Sequence, residues 1–259
     1  MRLKQEGIIK HVGFSTHAPI EAIIKAIETD YFEFVNLHYY YFFQRNKGAI
    51  DLAATKDMGI FIISPNDKGG QLFKAPEKVK QLVAPSTPIQ WNARFCLANP
   101  AVHTLSFGMN TPGYVEEMKG IFPTSIPLAQ QDREILQKME EQIYLDPYAL
   151  YDGYDMQGDP SGLNIPEILR MRKMWKCYDM LGFGQYRYNL FEPLHHWFPG
   201  NLATPEYVAR VNTDKVPPGI PLKEMLAECH EAFFVDKDQK KAIDFTKIKP
   251  NGLRLLKEG

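Results

Sequence analysis

The first half of the chain alternates short apolar runs with amphipathic stretches. Residues 8–17 read as a short strand ending in Gly13-Phe14-Ser15-Thr16-His17. Pro19 then opens a helix, where proline is tolerated in the first turn. Ile20, Ile23, Ile24 and Ile27 give that helix one apolar face. Residues 32–42 are rich in aromatic and β-branched side chains and predict a second strand. A helix over 49–56 and a third strand over 60–64 follow. Past a proline-punctuated segment, 89–97 reads as a helix, 102–108 as a fourth strand and 113–119 as a closing helix. Strands alternating with helices imply βαβ units and a parallel sheet.

The third strand carries the clearest local signal. Its apolar run, Gly59-Ile60-Phe61-Ile62-Ile63, stops at Ser64-Pro65, and the loop Asn66-Asp67-Lys68-Gly69-Gly70 follows. Pro65 has no N–H for a ladder, so the strand ends there. The glycines let backbone N–H groups approach a bound group closely. Parallel α/β folds place ligand sites at such strand ends. An ordinary βα turn is the other reading of the same residues.

From Pro127 the pattern becomes helical. Ile135, Leu136, Met139 and Ile143 form one apolar stripe, with Lys138, Glu140 and Glu141 on the solvated side. Residues 146–163 lack periodicity. Another helix starts at Ile165-Pro166-Glu167 and runs through Met174 and Cys177; residues 183–191 are aromatic-rich, and 195–200 make a loop. Asp159-Pro160-Ser161-Gly162-Leu163, with its following helix, parallels Val216-Pro217-Pro218-Gly219-Ile220 with its own. Asp152, Asp155 and Asp159 offer oxygen ligands at short spacing, but lack the alternation and terminal glutamate of a calcium loop. They read by default as a solvated acidic turn. His195 and His196 have no third ligand at useful spacing, so packing or surface is their reading.

Composition narrows the class. At 259 residues with 44% hydrophobic content, the chain suits one large or two ordinary domains. A formal charge of −1 gives no reason to expect nucleic acid or an anionic membrane as partner. No run approaches the ~18 apolar residues of a membrane span, and the first residues lack a signal peptide's apolar core. Cys96, Cys177 and Cys229 are too far apart for a disulfide framework or metal spacing. A cytoplasmic protein is expected, with Cys177 and Cys229 as core residues of predicted helices.

Gly13-Phe14-Ser15-Thr16-His17, Val35-Asn36-Leu37-His38, Ile63-Ser64-Pro65 and Ser106-Phe107-Gly108-Met109 carry a resemblance to a known family. Their order and spacing are similar to the last four strands of the aldo/keto reductases, NADPH-dependent carbonyl reductases on a TIM barrel. The closest likeness is to the branch with a ferredoxin-like extension after the barrel. The resemblance implies an α/β fold: the C-terminal half of a TIM (β/α)8 barrel, about four β/α units, over 1–125. An all-α ferredoxin-like extension would span 126–235, and a C-terminal tail 236–259. It places Ser15 and Asn36 at the nicotinamide carboxamide of NADP(H). Ser64 and Asn66, Lys68, Gly69 and Gly70 would meet the diphosphate, and Gly108, Met109 and Asn110 the adenine ribose. The acidic segment after Met109 leaves NADPH against NADH open.

The resemblance also marks two absences. The family's proton-donor tyrosine and its aspartate, lysine and histidine partners lie on earlier strands, so no catalytic residue is assigned. Tyr39, Tyr40 and Tyr41 read as packing groups. Two-cluster ferredoxins bind each cluster through Cys-x2-Cys-x2-Cys-x3-Cys-Pro. Here those positions are Ala149, Asp152, Asp155 and Asp159, then Glu206, Ala209, Asn212 and Val216. An iron–sulfur cluster is therefore not expected, since its irons need thiolates. Four strands cannot close a barrel. Dimerising, a separately encoded first half or remodelling into an open sheet would each account for that, and a gene product that has lost its start is the preferred expectation, because Leu3 to Glu6 resembles the tail of a helix. The implied function is an NAD(P)H-dependent oxidoreductase acting on a small carbonyl substrate. A catalytically silent cofactor-binding or scaffold protein is the alternative.

Overall fold

Four short strands form one parallel sheet in the order β1-β2-β3-β4: β1 (Gly13–Ser15), β2 (Phe34–Leu37), β3 (Gly59–Ile63) and β4 (Thr104–Ser106). The computed structural model describes residues 2–67, 70–195 and 198–236. The helices are α1 (Arg2–Gln5), α2 (Ile20–Glu28), α3 (Lys47–Thr55), α4 (Glu77–Val83), α5 (Pro88–Leu97), α6 (Pro112–Lys119), α7 (Gln130–Glu141), α8 (Ile165–Tyr178), α9 (Leu181–Tyr188), α10 (Pro205–Ala209) and α11 (Leu222–Phe233). Residues 2–73 with 83–136 make one compact unit, and 74–82 with 137–236 a second. None of the described helices is long and apolar enough to cross a membrane.

Burial alternates along the central strands of the first unit. Val35 and Leu37 of β2 and Ile60 and Ile62 of β3 are fully buried against Ile23 and Ile27 of α2 and Ala49, Ile50 and Ala53 of α3. Each valine, leucine or isoleucine among them contributes about 1.5–3 kcal/mol relative to exposure. Phe34, Asn36, Phe61 and Ile63 on the alternate positions are only half-buried. The Phe34 ring stacks on Phe61 at 5.5 Å between centroids. It also covers Gly13, where a Cβ would lie 2.3 Å from the ring, so any larger residue there would have to displace Phe34.

Three predicted strands prove shorter than their composition suggests, the fourth keeping only Thr104–Ser106 of 102–108. Residues 8–12 lie outside β1, and β2 stops at Leu37 although aromatic residues continue. Tyr40 and Phe43 instead close a tight turn through backbone bonds of 3.0 and 2.7 Å. Pro19 sits at the cap of α2 rather than inside its first turn. α5 begins with a complete capping box: the Gln90 N–H donates to Thr87 Oγ1 at 3.3 Å, and the Thr87 N–H to Gln90 Oε1 at 3.2 Å. Arg94 grips Asp132 with two bonds of 2.8 and 2.9 Å, while Trp91 Nε1 donates to the Asp132 carbonyl at 3.2 Å.

The second unit packs around α8, α9 and α11. Arg172 on α8 is bound to Asp146 and to Glu228 of α11, and Lys176 also reaches Glu228. Burial pulls the Arg172 guanidinium down, but the bonds and charges of Asp146 and Glu228 outweigh it and hold the group above its ordinary value. Glu167 and Arg170 form a second buried pair at 2.7 and 3.0 Å. The sequence repeat holds only loosely. The first turn closes with the Gly162 N–H on the Asp159 carbonyl, the second with the Ile220 N–H on the Pro217 carbonyl. The second bond is thus one residue late. Gly162 and Gly219 are both left-handed, with φ of +71° and +86°. Residues 237–259, most of the expected tail, lie outside the described residues.

Tyr188 links α9 to α11. Its oxygen accepts the Ala203 N–H at 2.6 Å and lies 2.7 Å from His230 Nδ1. Burial lowers the pKa of the His230 imidazole from its ordinary 6.5. A depressed folded value means stability present above pH 6.5 is lost as pH falls towards the folded pKa. Thermal unfolding of the second unit should therefore move down between pH 7.5 and 5.5, and His230→Gln should flatten that slope.

Candidate functional site

Because the strands are parallel, their C-terminal ends share one edge of the sheet. Ser15 pairs with Asn36, and Ile63 with Ser106. The ladder runs one step further through the Thr16 N–H to the Asn36 carbonyl at 3.1 Å and the Ser64 N–H to the Ser106 carbonyl at 2.8 Å. Ser15 is exposed beside Asn36. The Asn36 Oδ1 atom is buried and accepts no hydrogen bond among the described residues. A buried acceptor without a donor costs about 1–3 kcal/mol, which an incoming N–H group would recover.

The loop after β3 is held in an uncommon shape. Ser64 and Asp67 are both left-handed, with φ of +51° and +49°, conformations that non-glycine residues adopt at a cost. Asn66 is 2% exposed, and its Nδ2 donates to the Gly108 carbonyl at 2.9 Å. It therefore braces the β3 loop against the segment after β4. The N–H groups of Gly70 and Gln71 donate to the Asp67 carbonyl at 3.0 and 3.2 Å, and Tyr40 donates to Asp67 Oδ1 at 3.3 Å. Lys68 and Gly69 lie outside the described residues. Gly108, Met109 and Asn110 are exposed, and a Cβ at Gly108 would meet nothing. Phe73 and Tyr114 stack at 3.7 Å beyond this segment.

The aromatic run after β2 is packing. Tyr39, Tyr40 and Tyr41 are all buried. Tyr39 lies on Phe95, and burial, with Cys96 adding, pushes its phenol up to about 12. Tyr41 sits edge-on to Trp91 at 5.0 Å. Further polar residues that the sequence did not single out fix this region. Asn92, 1% exposed on α5, accepts the Tyr41 N–H at 2.9 Å and donates to the Pro65 carbonyl. Asn46 Nδ2 donates to the His38 carbonyl at 2.9 Å. His38 Nδ1 lies 3.0 Å from the Ile63 carbonyl, which can only accept, so that nitrogen carries the proton. Beyond Ser15 and Asn36, the His17 and His38 rings face each other at 4.9 Å.

Cofactor fit differs between the two units. Asn36 Oδ1 beside the Ser15 hydroxyl suits the amide of a nicotinamide. The cluster positions of the second unit do not suit iron and sulfide. Asp152 Oδ1 accepts the Tyr154 N–H at 3.0 Å, Asp155 Oδ1 the Tyr151 hydroxyl at 3.0 Å, and Asn212 Oδ1 the Asp214 N–H at 2.9 Å. Asp159 accepts the N–H groups of Ser161 at 2.9 Å and Asn212 at 3.0 Å. Among the described residues no group of three His, Cys, Asp or Glu side chains could hold a metal. Cys96, Cys177 and Cys229 are free and buried, and burial raises all three thiols, Cys229 to about 12. They are inert in that state.

No family model matches the chain, and no curated protein matches it. Among solved structures, the chain is similar to aldo-keto reductase AKR11C1 from Bacillus halodurans. The holo form is 17% identical with a TM-score of 0.43, covering 53% of this chain and 52% of that one. The apo form gives 17% identity and a TM-score of 0.43, covering 53% of each chain. The chain thus spans about half the length of those structures. So distant a likeness assigns neither activity nor site.

Proposed function

We propose that the first unit binds a reduced nicotinamide dinucleotide across the C-terminal ends of β1–β4 and interconverts a small carbonyl and its alcohol. The buried, unsatisfied Asn36 Oδ1 beside Ser15 is the observation that carries this reading. Ser15 and Asn36 would hold the carboxamide. Ser64 and the loop of Asn66, Lys68, Gly69 and Gly70 would meet the diphosphate, and Gly108, Met109 and Asn110 the adenine ribose. When bound, the dinucleotide supplies hydride. The protein's part is to orient its ring and to exclude water from the strand ends. Residues 110–118 carry no basic side chain to select the 2′-phosphate, so this reading does not choose between NADPH and NADH. On this reading the sheet is the second half of a TIM barrel. A second copy or a separately supplied first half would cover its edges at β1 and β4, and the buried thiols suit a reducing cytoplasm.

The second unit is read as an iron-free relative of the two-cluster ferredoxin layout. The Asp159 carboxylate supports this reading, because it ties the first loop to Asn212 of the second through a hydrogen bond where a ferredoxin has metal.

Asn36→Leu tests the cofactor site. Wild type should enhance NADPH fluorescence on titration, and the variant should bind roughly tenfold more weakly, the value of one lost hydrogen bond. Its thermal stability should stay level or rise, because an unsatisfied buried acceptor has gone. Equal binding by the variant would count against the site. Binding by wild type without turnover of any aldehyde would leave a silent cofactor-binding protein.

A further inference from the structure

Residues 140–155 of the second unit include Glu140, Glu141, Asp146, Asp152 and Asp155, and no lysine, arginine or histidine. Their backbone makes three successive tight turns. The N–H groups of Asp146, Ala149 and Tyr151 donate to the carbonyls of Ile143, Asp146 and Tyr148 at 3.4, 3.1 and 3.1 Å. The middle turn brings Asp146 and Ala149 within about 7 Å of each other, and both are buried. Leu145 and Leu150 flank that turn and are 61% and 69% exposed, and Tyr144 is 77% exposed. Asp146 is ion-paired to Arg172 of α8, which anchors the knuckle to the core. Glu140 and Glu141 lead into it, and Asp152 and Asp155 follow it, all four exposed. Asp155 accepts the Tyr151 hydroxyl at 3.0 Å, which holds one carboxylate at the edge of the apolar group. Large apolar side chains gathered on an anchored surface and bordered by charge mark an interaction site.

We propose that this knuckle docks a basic, amphipathic segment of a partner protein. The partner's apolar side chains cover Tyr144, Leu145 and Leu150, and its lysines or arginines meet Glu140, Glu141, Asp152 and Asp155. Charge complementarity selects that occupant. A second copy of the chain, seated about a two-fold axis, would set the same patch against itself. Its carboxylates would then face identical carboxylates. An anionic lipid surface would meet the same repulsion. A basic segment meets none, and the four carboxylates would also speed its approach. The turns are already formed and tied down through Asp146, so little ordering is left for the partner to impose. This surface is independent of the dinucleotide reading.

The test titrates a fluorescein-labelled amphipathic helical peptide of leucine and lysine with the full chain and follows its anisotropy. Wild type should bind this peptide, and the same peptide with glutamate for lysine should stay free. Leu145→Ser with Leu150→Ser, shown to be folded by an unchanged thermal midpoint, should bind about tenfold more weakly or worse. Glu140→Lys with Glu141→Lys should mainly slow association. Amide hydrogen exchange should show protection by the peptide confined to 143–152. Four outcomes overturn the proposal: no binding by wild type, equal binding by the leucine variant, equal binding of the glutamate peptide, or protection elsewhere. A chain ended at Asp236 separates the remaining occupant. Unchanged affinity supports a partner protein. Much tighter binding would assign the surface to this chain's own lysine-rich residues 237–259, and the partner reading would fall.

Discussion

Arg172→Ala is expected to destabilise the second unit by about 3–5 kcal/mol, the usual cost of breaking one side of a buried ion pair. The Arg172 and Asp146 side chains are only 7% and 6% exposed, so the carboxylate left behind cannot be hydrated without opening the core. Glu228 is 38% exposed and keeps Lys176, so it suffers less. The control is Arg172→Met with Asp146→Leu. Removing both charges should recover most of the loss, because the penalty lies in the orphaned charge rather than in a missing attraction. Urea unfolding of the single and double variants decides this, and equal losses in both would contradict it.

Asn92→Leu should cost the first unit about 2–4 kcal/mol. The side chain is nearly isosteric, but the Tyr41 N–H and the Pro65 carbonyl lose their partner inside the protein, and each unmet buried group costs about 1–3 kcal/mol. The substitution should also loosen the β3 loop, because Pro65 lies between Ser64 and Asn66. Denaturant unfolding gives the first quantity, and amide hydrogen exchange at Ser64, Asn66 and Asp67 the second. Unchanged exchange there would remove Asn92 from any part in shaping the site.

Element type was readable along most of the chain because period and punctuation agree. The isoleucines of α2 and the Ser64-Pro65 stop after β3 announce themselves without tertiary help. Strand length was not, and β2 shows why. Tyr39, Tyr40 and Tyr41 have the propensity for a longer strand, yet the chain turns after Leu37. His38, Tyr41 and Phe43 bond to Asn46, Asn92 and Tyr40, long-range or local choices that β propensity does not encode. Buried polar residues were equally hidden. Asn92 and Asp132 look like solvated helix positions until their partners are known. The repeat misled in a smaller way, since Pro160 and Pro218 occupy the same turn position although Asp159 and Val216 were aligned. Ser15 and Asn36 were legible as candidates, but neither the orphaned oxygen nor the His17–His38 pairing was, because both depend on register between strands.

The most direct measurement is a crystal structure of the full chain grown with NADPH. The carboxamide nitrogen is expected within hydrogen-bond distance of Asn36 Oδ1, with the diphosphate over the loop that follows Ser64. A dinucleotide bound away from the strand ends, or an Asn36 Oδ1 satisfied by the protein itself, would contradict the assignment.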